Sequence, residues 1–392
     1  MNFGFAPEEE SLRKEVQEFL AREVTSSWRE RPTAVFDIFY SEGEEGTREH
    51  RLLARKLGAR GWLSLLWPEE YGGKNSLMLQ LIVVEEVFGH RSPGYDIFGA
   101  GMIAPTLLKC ATQEQKRRFL PDIAQGEVIW CEGLSEPGHG SDLASAETFA
   151  REDGDSFIIN GQKIWTSAAH CADWMALVAR TDREAVPKHR GISFFLVDMK
   201  SPGITVRPIA NMAGQHEFNE VFFDDVRVPK ENVLGEKNGG WKVVMTLLDF
   251  ERSSIPIYAI ANDYLAALVQ YARDKGSKGT VLRNRLSGLA VECEIARLLH
   301  YRAAWIRDKG AVPNYESAVN KLFTCELNQR LAAAAMELLG LHGQLVEGSP
   351  RAPLHGQGPF NYLRCVGNTL EMGTSEIDRD IIAQRGLGLP RG

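Results

Sequence analysis

Asp249-Phe250-Glu251-Arg252 sets a carboxylate beside a guanidinium in a helical stretch that starts near Trp241. A glutamate there has two readings. It is an exposed helix residue paired with a nearby arginine, or it is a general base held in an apolar, water-poor pocket that raises its pKa toward the working range. Near the C-terminus, Leu370-Glu371-Met372-Gly373-Thr374-Ser375-Glu376-Ile377 places Glu371 beside Met372, and a methionine cannot take a proton. Two more stretches gather turn formers, hydroxyls and an indole: Leu134-Ser135-Glu136-Pro137-Gly138-His139-Gly140-Ser141-Asp142 and Gly161-Gln162-Lys163-Ile164-Trp165-Thr166-Ser167. Taken alone, the second reads as a turn-rich sandwich with one buried tryptophan. The cysteines at 110, 131, 171, 293, 325 and 365 have no zinc or redox spacing and read as reduced thiols. The histidines show no metal-ligand spacing, so no metal is expected.

These residues are carried by three kinds of sequence. From Glu8 to about Gln125 the pattern is helical, opening with Leu12, Val16, Phe19 and Leu20 at helix spacing. Arg31 to Thr47 reads as a charged loop, and Met78 to Phe88 and Ile103 to Leu108 as core helices. The period changes near Val128. Phe157 to Trp165 reads as a hairpin turning at Asn160-Gly161, followed by short strands at Trp174 to Ala179, Gly191 to Val197, Ile204 to Pro208 and Glu220 to Val228. After Gly239-Gly240 long helices return. Leu282, Leu286, Leu289, Cys293 and Ala296 form one apolar stripe, and Val319, Leu322, Phe323, Leu327, Leu331 and Leu338 another, as in a helical bundle. Pro256 is expected to bend its helix just past Glu251. The expected division is 1–127 helical, 128–233 β and 234–392 helical bundle.

Composition narrows the function classes. Of 392 residues, 44% are hydrophobic and 25% charged, as in ordinary globular proteins. A net charge of −7 with no basic stripe argues against a nucleic-acid partner. No apolar run is long enough to span a bilayer. Glu8-Glu9-Glu10 behind Pro7 does not read as a signal peptide, so a cytoplasmic location is expected.

The motifs, in this order, resemble the acyl-CoA dehydrogenase family, which has an α+β fold with an N-terminal helical domain, a central β domain and a C-terminal helical bundle. Trp67-Pro68-Glu69-Glu70-Tyr71-Gly72-Gly73 is similar to its N-terminal motif, and the 134–142, 161–167 and 373–377 stretches to its flavin and C-terminal motifs. The resemblance implies FAD and an acyl-CoA substrate. A base takes the α-proton while the β-hydrogen leaves as hydride to flavin N5, and electrons pass on to electron-transfer flavoprotein. By resemblance, Leu134 and Ser135 meet the pyrimidine side of the flavin, Trp165 walls it, and Ser167 sits near N5. Gly140 lets the backbone come close, and Ser141 reaches phosphate or pantetheine. Thr374 and Glu376 belong to the third flavin motif. The usual base position, directly before Gly-Thr, is Met372 here, though its backbone N–H can still serve the thioester carbonyl. Glu251 matches the helix-borne base of some members, and Glu371 is the rival. Arg252 is expected on the pocket wall and Asp249 at the pantetheine arm.

The second half of the flavin site departs from the family. An Arg-x-x-Phe-Gly stretch and a later Gln become Lys275, Lys278, Gly279 and Leu286, and a Gln before the Gly-Gly turn becomes Glu337 ahead of Gly340-Leu341. A lysine meets phosphate as a point charge without arginine's fork. A glutamate there repels pyrophosphate unless protonated or turned away. Gly214 to Pro229, Arg283-Asn284-Arg285-Leu286 and Ile381 to Pro390 resemble a bacterial subset that includes α2β2 heterotetramers acting on steroid side-chain CoA thioesters. The expected assembly is a homotetramer or such an α2β2 tetramer. The main expectation is an FAD-dependent acyl-CoA dehydrogenase with Glu251 as base. The alternative is a non-catalytic partner that completes the FAD/CoA site of a paralogous subunit. A third reading keeps the fold but passes electrons to oxygen.

Overall fold

The structure is a computed structural model that describes residues 4–25, 28, 30, 43–254, 257–276, 279–309 and 313–390. In chain order these form α1 (Pro7–Glu23), α2 (Gly43–Gly58), α3 (Leu77–Gly89), a π-helical turn (Ile97–Ile103) running into α4 (Ala104–Cys110), and α5 (Gln113–Ala124). Seven strands come next: β1 (Trp130–Gly133), β2 (Phe149–Asp153), β3 (Ser156–Lys163), β4 (Trp174–Arg180), β5 (Ile192–Asp198), β6 (Ile204–Ile209) and β7 (Phe218–Pro229). The chain ends in α6 (Gly240–Ser254), α7 (Ile257–Asp274), α8 (Thr280–Asp308), α9 (Glu316–Leu339), α10 (Gln357–Asn368) and α11 (Ser375–Ile381). Helices, then strands, then helices is the order the periodicities predict. The chain separates into two compact units.

The first unit spans Phe39–Lys74 and Gly94–Ser254 and holds the sheet. Strand order is β1-β4-β2-β3-β7-β6, with β5 on β4. Alternating side chains make the core: Phe157, Ile159, Met175, Leu177, Phe195, Val197, Val221 and Phe223 pack together there. The expected hairpin at Asn160-Gly161 is a correction. β3 runs straight through both residues, and the hairpin turns instead at Gly154-Asp155, between β2 and β3. Asn160 fails as a turn because it is bound sideways: its side chain exchanges hydrogen bonds with Asp225 of β7, both at 2.9 Å. Gly161 sits at a bulge in the β3–β7 register, where a Cβ would fall 2.7 Å from the Thr148 backbone. α6 buries Val243, Val244, Leu247 and Phe250 and packs on the π-helical turn, α4 and β5.

The second unit spans Met1–Ile38, Asn75–Pro93 and Ile255–Gly392. α1 lays Val16, Phe19 and Leu20 against α3, and Arg13 binds Glu85 at 3.0 Å and Glu86 beside them. Asp308 at the end of α8 accepts from the first amides of α3, Leu77 and Met78, at 2.8 and 3.2 Å, engaging two of the donors a helix start leaves open. Leu286, Leu289, Cys293 and Ala296 of α8 are buried, as are Leu327 and Leu331 of α9. Truncating Leu331 to alanine would cost about 2–5 kcal/mol.

The expected loop from Arg31 to Thr47 is corrected at its end, because Gly43 to Thr47 belong to α2; residues 31–42 lie outside the described residues. Pro256 and its expected bend also lie outside them. Every cysteine is free. No described helix is long and apolar enough to cross a membrane, and no group of described residues could hold a metal ion.

Candidate functional site

Within the sheet-bearing unit, the two central motifs are joined by one buried ion pair. β3 ends on Lys163, whose side chain is wholly buried and donates to Glu136 Oε1 at 2.8 Å and to the Leu134 carbonyl at 2.9 Å. The other Glu136 contacts are the Glu147 and Thr148 amides, at 2.6 and 2.9 Å. Ile164 N–H then binds the Ser135 carbonyl at 3.0 Å. Burial lowers the Lys163 ammonium to about 8, with Glu136 working against that shift. Burial pulls Glu136 upward, but Lys163 and the amides hold it below the ordinary 4.5.

This scaffold fixes the backbone just past Lys163. Trp165 and Ala168 take left-handed conformations, at φ 60° and 63°. Thr166 N–H and Ala168 N–H bind the carbonyls of Asn219 and Glu217. The Trp165 indole stands edge-on to Phe218 and is 56% exposed. Ser135 and Ser167 are half-buried, and no described residue hydrogen-bonds either hydroxyl. A large flat apolar face with free hydroxyls near it is what a flavin ring requires, so these residues fit FAD. Gly140 and Ser141 lie exposed on the turn beyond Pro137, and a Cβ on Gly140 would meet nothing within 4 Å.

Glu251 occurs in the same unit, on α6. It is half-buried and continues the buried stripe of Val244 and Leu247. Asp249 is exposed; the helix continues through Arg252. A carboxyl absent from the sequence reading stands with Glu251. Glu132 of β1 is half-buried, and its Oε1 is withdrawn from solvent with no hydrogen-bond partner among the described residues. Burial, then the charges of Glu251 and Asp96, hold Glu132 well above the ordinary 4.5. Asp96 itself accepts from the Phe98 and Trp130 amides, both at 3.1 Å. Glu132 lies two residues before Leu134, so its position is visible in the sequence; the burial of a glutamate there is not.

The remaining candidates lie in the helical unit. Met372 and Gly373 are left-handed, at φ 56° and 91°, and turn the chain between α10 and α11. On one side of the turn Leu370 and Glu371 N–H bind the Gly367 carbonyl, and on the other Ser375 N–H binds that of Thr369. The N–H groups of Met372, Gly373 and Thr374 bind nothing among the described residues. Thr374 caps α11 through Ile377 N–H at 3.2 Å. The exposed Glu376 carboxyl is held below 4.5 by its own backbone N–H and by Thr374.

Glu371, the rival base, is committed elsewhere. It pairs with buried Arg364 at 3.1 Å and accepts from Asn368 at 2.6 Å. Lys275 is exposed, with its ammonium 5.7 Å from the Tyr271 ring; Lys278 lies outside the described residues. Gly279 is the N-cap of α8, and Gly340 ends α9 at φ 57°, ψ −140°, a conformation for glycine alone. Glu337, expected to repel a pyrophosphate, is bound by Arg285. Arg285 also lines a cavity of about 590 Å³ with Arg330, Arg379, Thr369 and Glu376. The sequence shows Arg285 but not its role, because its partner is one helix away.

Three family descriptions match the chain in order: acyl-CoA dehydrogenase N-terminal domain over residues 6–127, middle domain over 131–226 and C-terminal domain over 238–387. Acyl-CoA dehydrogenase FadE26 of Mycobacterium tuberculosis is 36% identical, over 100% of this chain and 99% of its own. The solved Tcur3481-Tcur3483 steroid ACAD is similar at TM-score 0.90 and 32% identity, covering 100% of both chains. The ChsE4-ChsE5 complex from Mycobacterium tuberculosis is similar at TM-score 0.88 and 34% identity, again over 100% of both.

Proposed function

Because the chain belongs to the acyl-CoA dehydrogenase family, FAD-dependent oxidoreductases that act on acyl-CoA, we propose that Glu251 is its catalytic base in the α,β-dehydrogenation of an acyl-CoA thioester. FAD, when bound, accepts the β-hydrogen as hydride. The chain's own residues do the rest. Glu251 takes the α-proton. Met372 N–H, unengaged among the described residues, donates to the thioester oxygen as negative charge develops there. Leu134, Ser135, Trp165 and Ser167 hold the ring end of the cofactor. Ser141, Asp249 and Arg252 meet the substrate. Gly140, Lys275, Gly279, Glu337, Gly340, Thr374 and Glu376 hold the rest of the cofactor.

The observation that carries this reading is the engagement of Glu371 by Arg364 and Asn368. With methionine at the usual position and the adjacent acid occupied, the half-buried acid on the apolar stripe of α6 is the carboxylate suited to the task. The substrate is a branched, long or bulky acyl-CoA, with steroid side-chain thioesters among the candidates; the steroid ACAD among the similar structures supports a steroid substrate. Electrons leave to electron-transfer flavoprotein, in a homotetramer or an α2β2 tetramer.

Replacing Glu251 by Gln tests the base. Turnover is expected to fall at least 10³-fold with FAD retained. Turnover within tenfold of the parent would sink Glu251 as base. A second reading has this chain complete the site of a paralogous subunit, and relatives solved as pairs of differently named chains favour it. FAD per chain and native mass of the chain expressed alone separate the two. One FAD per chain in a tetramer supports the self-sufficient enzyme, and an FAD-free chain supports the partner.

A further inference from the structure

The turn that carries Met372 is held from behind by a buried charge pair that no motif announces. Lys321 lies in α9 and is 2% exposed, on a helix that also buries Ala318 and Cys325. Its ammonium donates to the Gly373 carbonyl and forms an ion pair with Asp378 Oδ2 at 3.4 Å. Asp378 is fully buried on α11, directly beyond the turn. A buried lysine is costly to keep charged without a partner, and a left-handed methionine is strained. The two features meet in one place. Lys321 fixes the carbonyl that follows Met372 and Gly373, while Ser375 N–H on Thr369 and the Gly367 bonds fix the chain on both sides. That leaves the Met372 N–H pointed by the fold and bound to nothing among the described residues.

We propose that Lys321, braced by Asp378, is a positioning residue for the reaction: it locks the left-handed Met372-Gly373 turn so that the Met372 N–H is aimed at the substrate thioester oxygen. The proposal rests on the reading of Met372 as the carbonyl donor. Lys321 itself touches no reacting atom. Its contribution is that of a pre-set donor, which needs no rearrangement as charge builds on the oxygen.

The test uses the assembled, FAD-loaded enzyme and two ligands, acetoacetyl-CoA and a long-chain 3-oxoacyl-CoA. Such ligands enolise without help from a protein base, and their enolates give a long-wavelength band against oxidised flavin when the thioester oxygen is well bound. Lys321→Met is expected to weaken that band and to lower kcat about 10- to 100-fold, with KM within about twofold and FAD content unchanged. Lys321→Arg, which keeps a cationic donor, is expected to recover part of both. Should Lys321→Met fail to fold, Asp378→Asn removes the brace and keeps the donor, and is expected to show the same weakening on a smaller scale. If the parent gives the band and the folded variants keep both band and kcat while losing only thermal stability, the clamp is structural and the proposal falls. If the parent binds either ligand, as read by calorimetry, yet gives no band, Met372 is not the donor, and the underlying reading falls with it.

Discussion

The two sets of candidate residues are built in opposite ways. In the sheet-bearing unit, Lys163, Glu136 and the carbonyl of Leu134 are spent on one another in a buried network, beside which Trp165 stays exposed. In the helical unit, beside the buried Lys321 and Arg364 pairs, several candidate charges lie near the surface in pairs such as Arg285 with Glu337 and Arg379 with Glu326. A buried pair is strongly coupled to folding, whereas an exposed pair contributes little to it. So substitutions in the first set should register in stability, and those in the second in ligand retention.

The largest effect tests the buried set. Lys163→Met leaves the Glu136 carboxylate buried without its partner and is expected to cost about 3–5 kcal/mol, read by chemical denaturation. The same pair sets acid sensitivity. Glu136 has a folded pKa below its ordinary 4.5, so its contribution is complete above 4.5 and is lost as pH falls through the folded value. Next comes Glu132→Gln. The Glu132 carboxyl has a raised folded pKa, so its contribution is full below 4.5 and declines as pH rises toward that raised value. Glutamine carries no such loss. The Tm of the variant relative to the parent should therefore climb between pH 5 and pH 8 (roughly the span above the ordinary carboxylate value); a flat difference would show that Glu132 titrates normally. The smallest change in stability belongs to Arg285→Gln, about 0–1 kcal/mol because its ion pair is exposed. Its expected signature is a lower flavin-to-protein absorbance ratio after gel filtration. A large loss of stability there, with flavin retained, would dissolve the contrast between the two sets.

Much of the architecture is legible because it rests on period. The strands at 174–180, 192–198 and 204–209 alternate or run apolar, and α8 and α9 carry their stripes at helix spacing. Asn160-Gly161 misleads because the dipeptide has two uses: it turns a hairpin, or it lets a neighbouring backbone approach, and only the position of Thr148 decides between them. The motifs place Trp165, Ser135 and Glu251 by number. They give no hint of Lys163 with Glu136, Arg285 with Glu337, or Lys321 with Asp378, whose partners are 27, 52 and 57 positions apart. Pairs formed by folding leave no spacing signal, and a lysine in a sequence reads as surface until a structure buries it.

The cysteines carry one last consequence. Burial pushes the thiols of Cys131, Cys171, Cys293, Cys325 and Cys365 upward, those of Cys171, Cys293 and Cys325 to about 12. At neutral pH these sulfurs stay protonated, and a thiolate is the form that peroxide or an alkylating agent attacks. A protein whose work is to move electron pairs thus keeps these five thiols quiet while the fold stays closed.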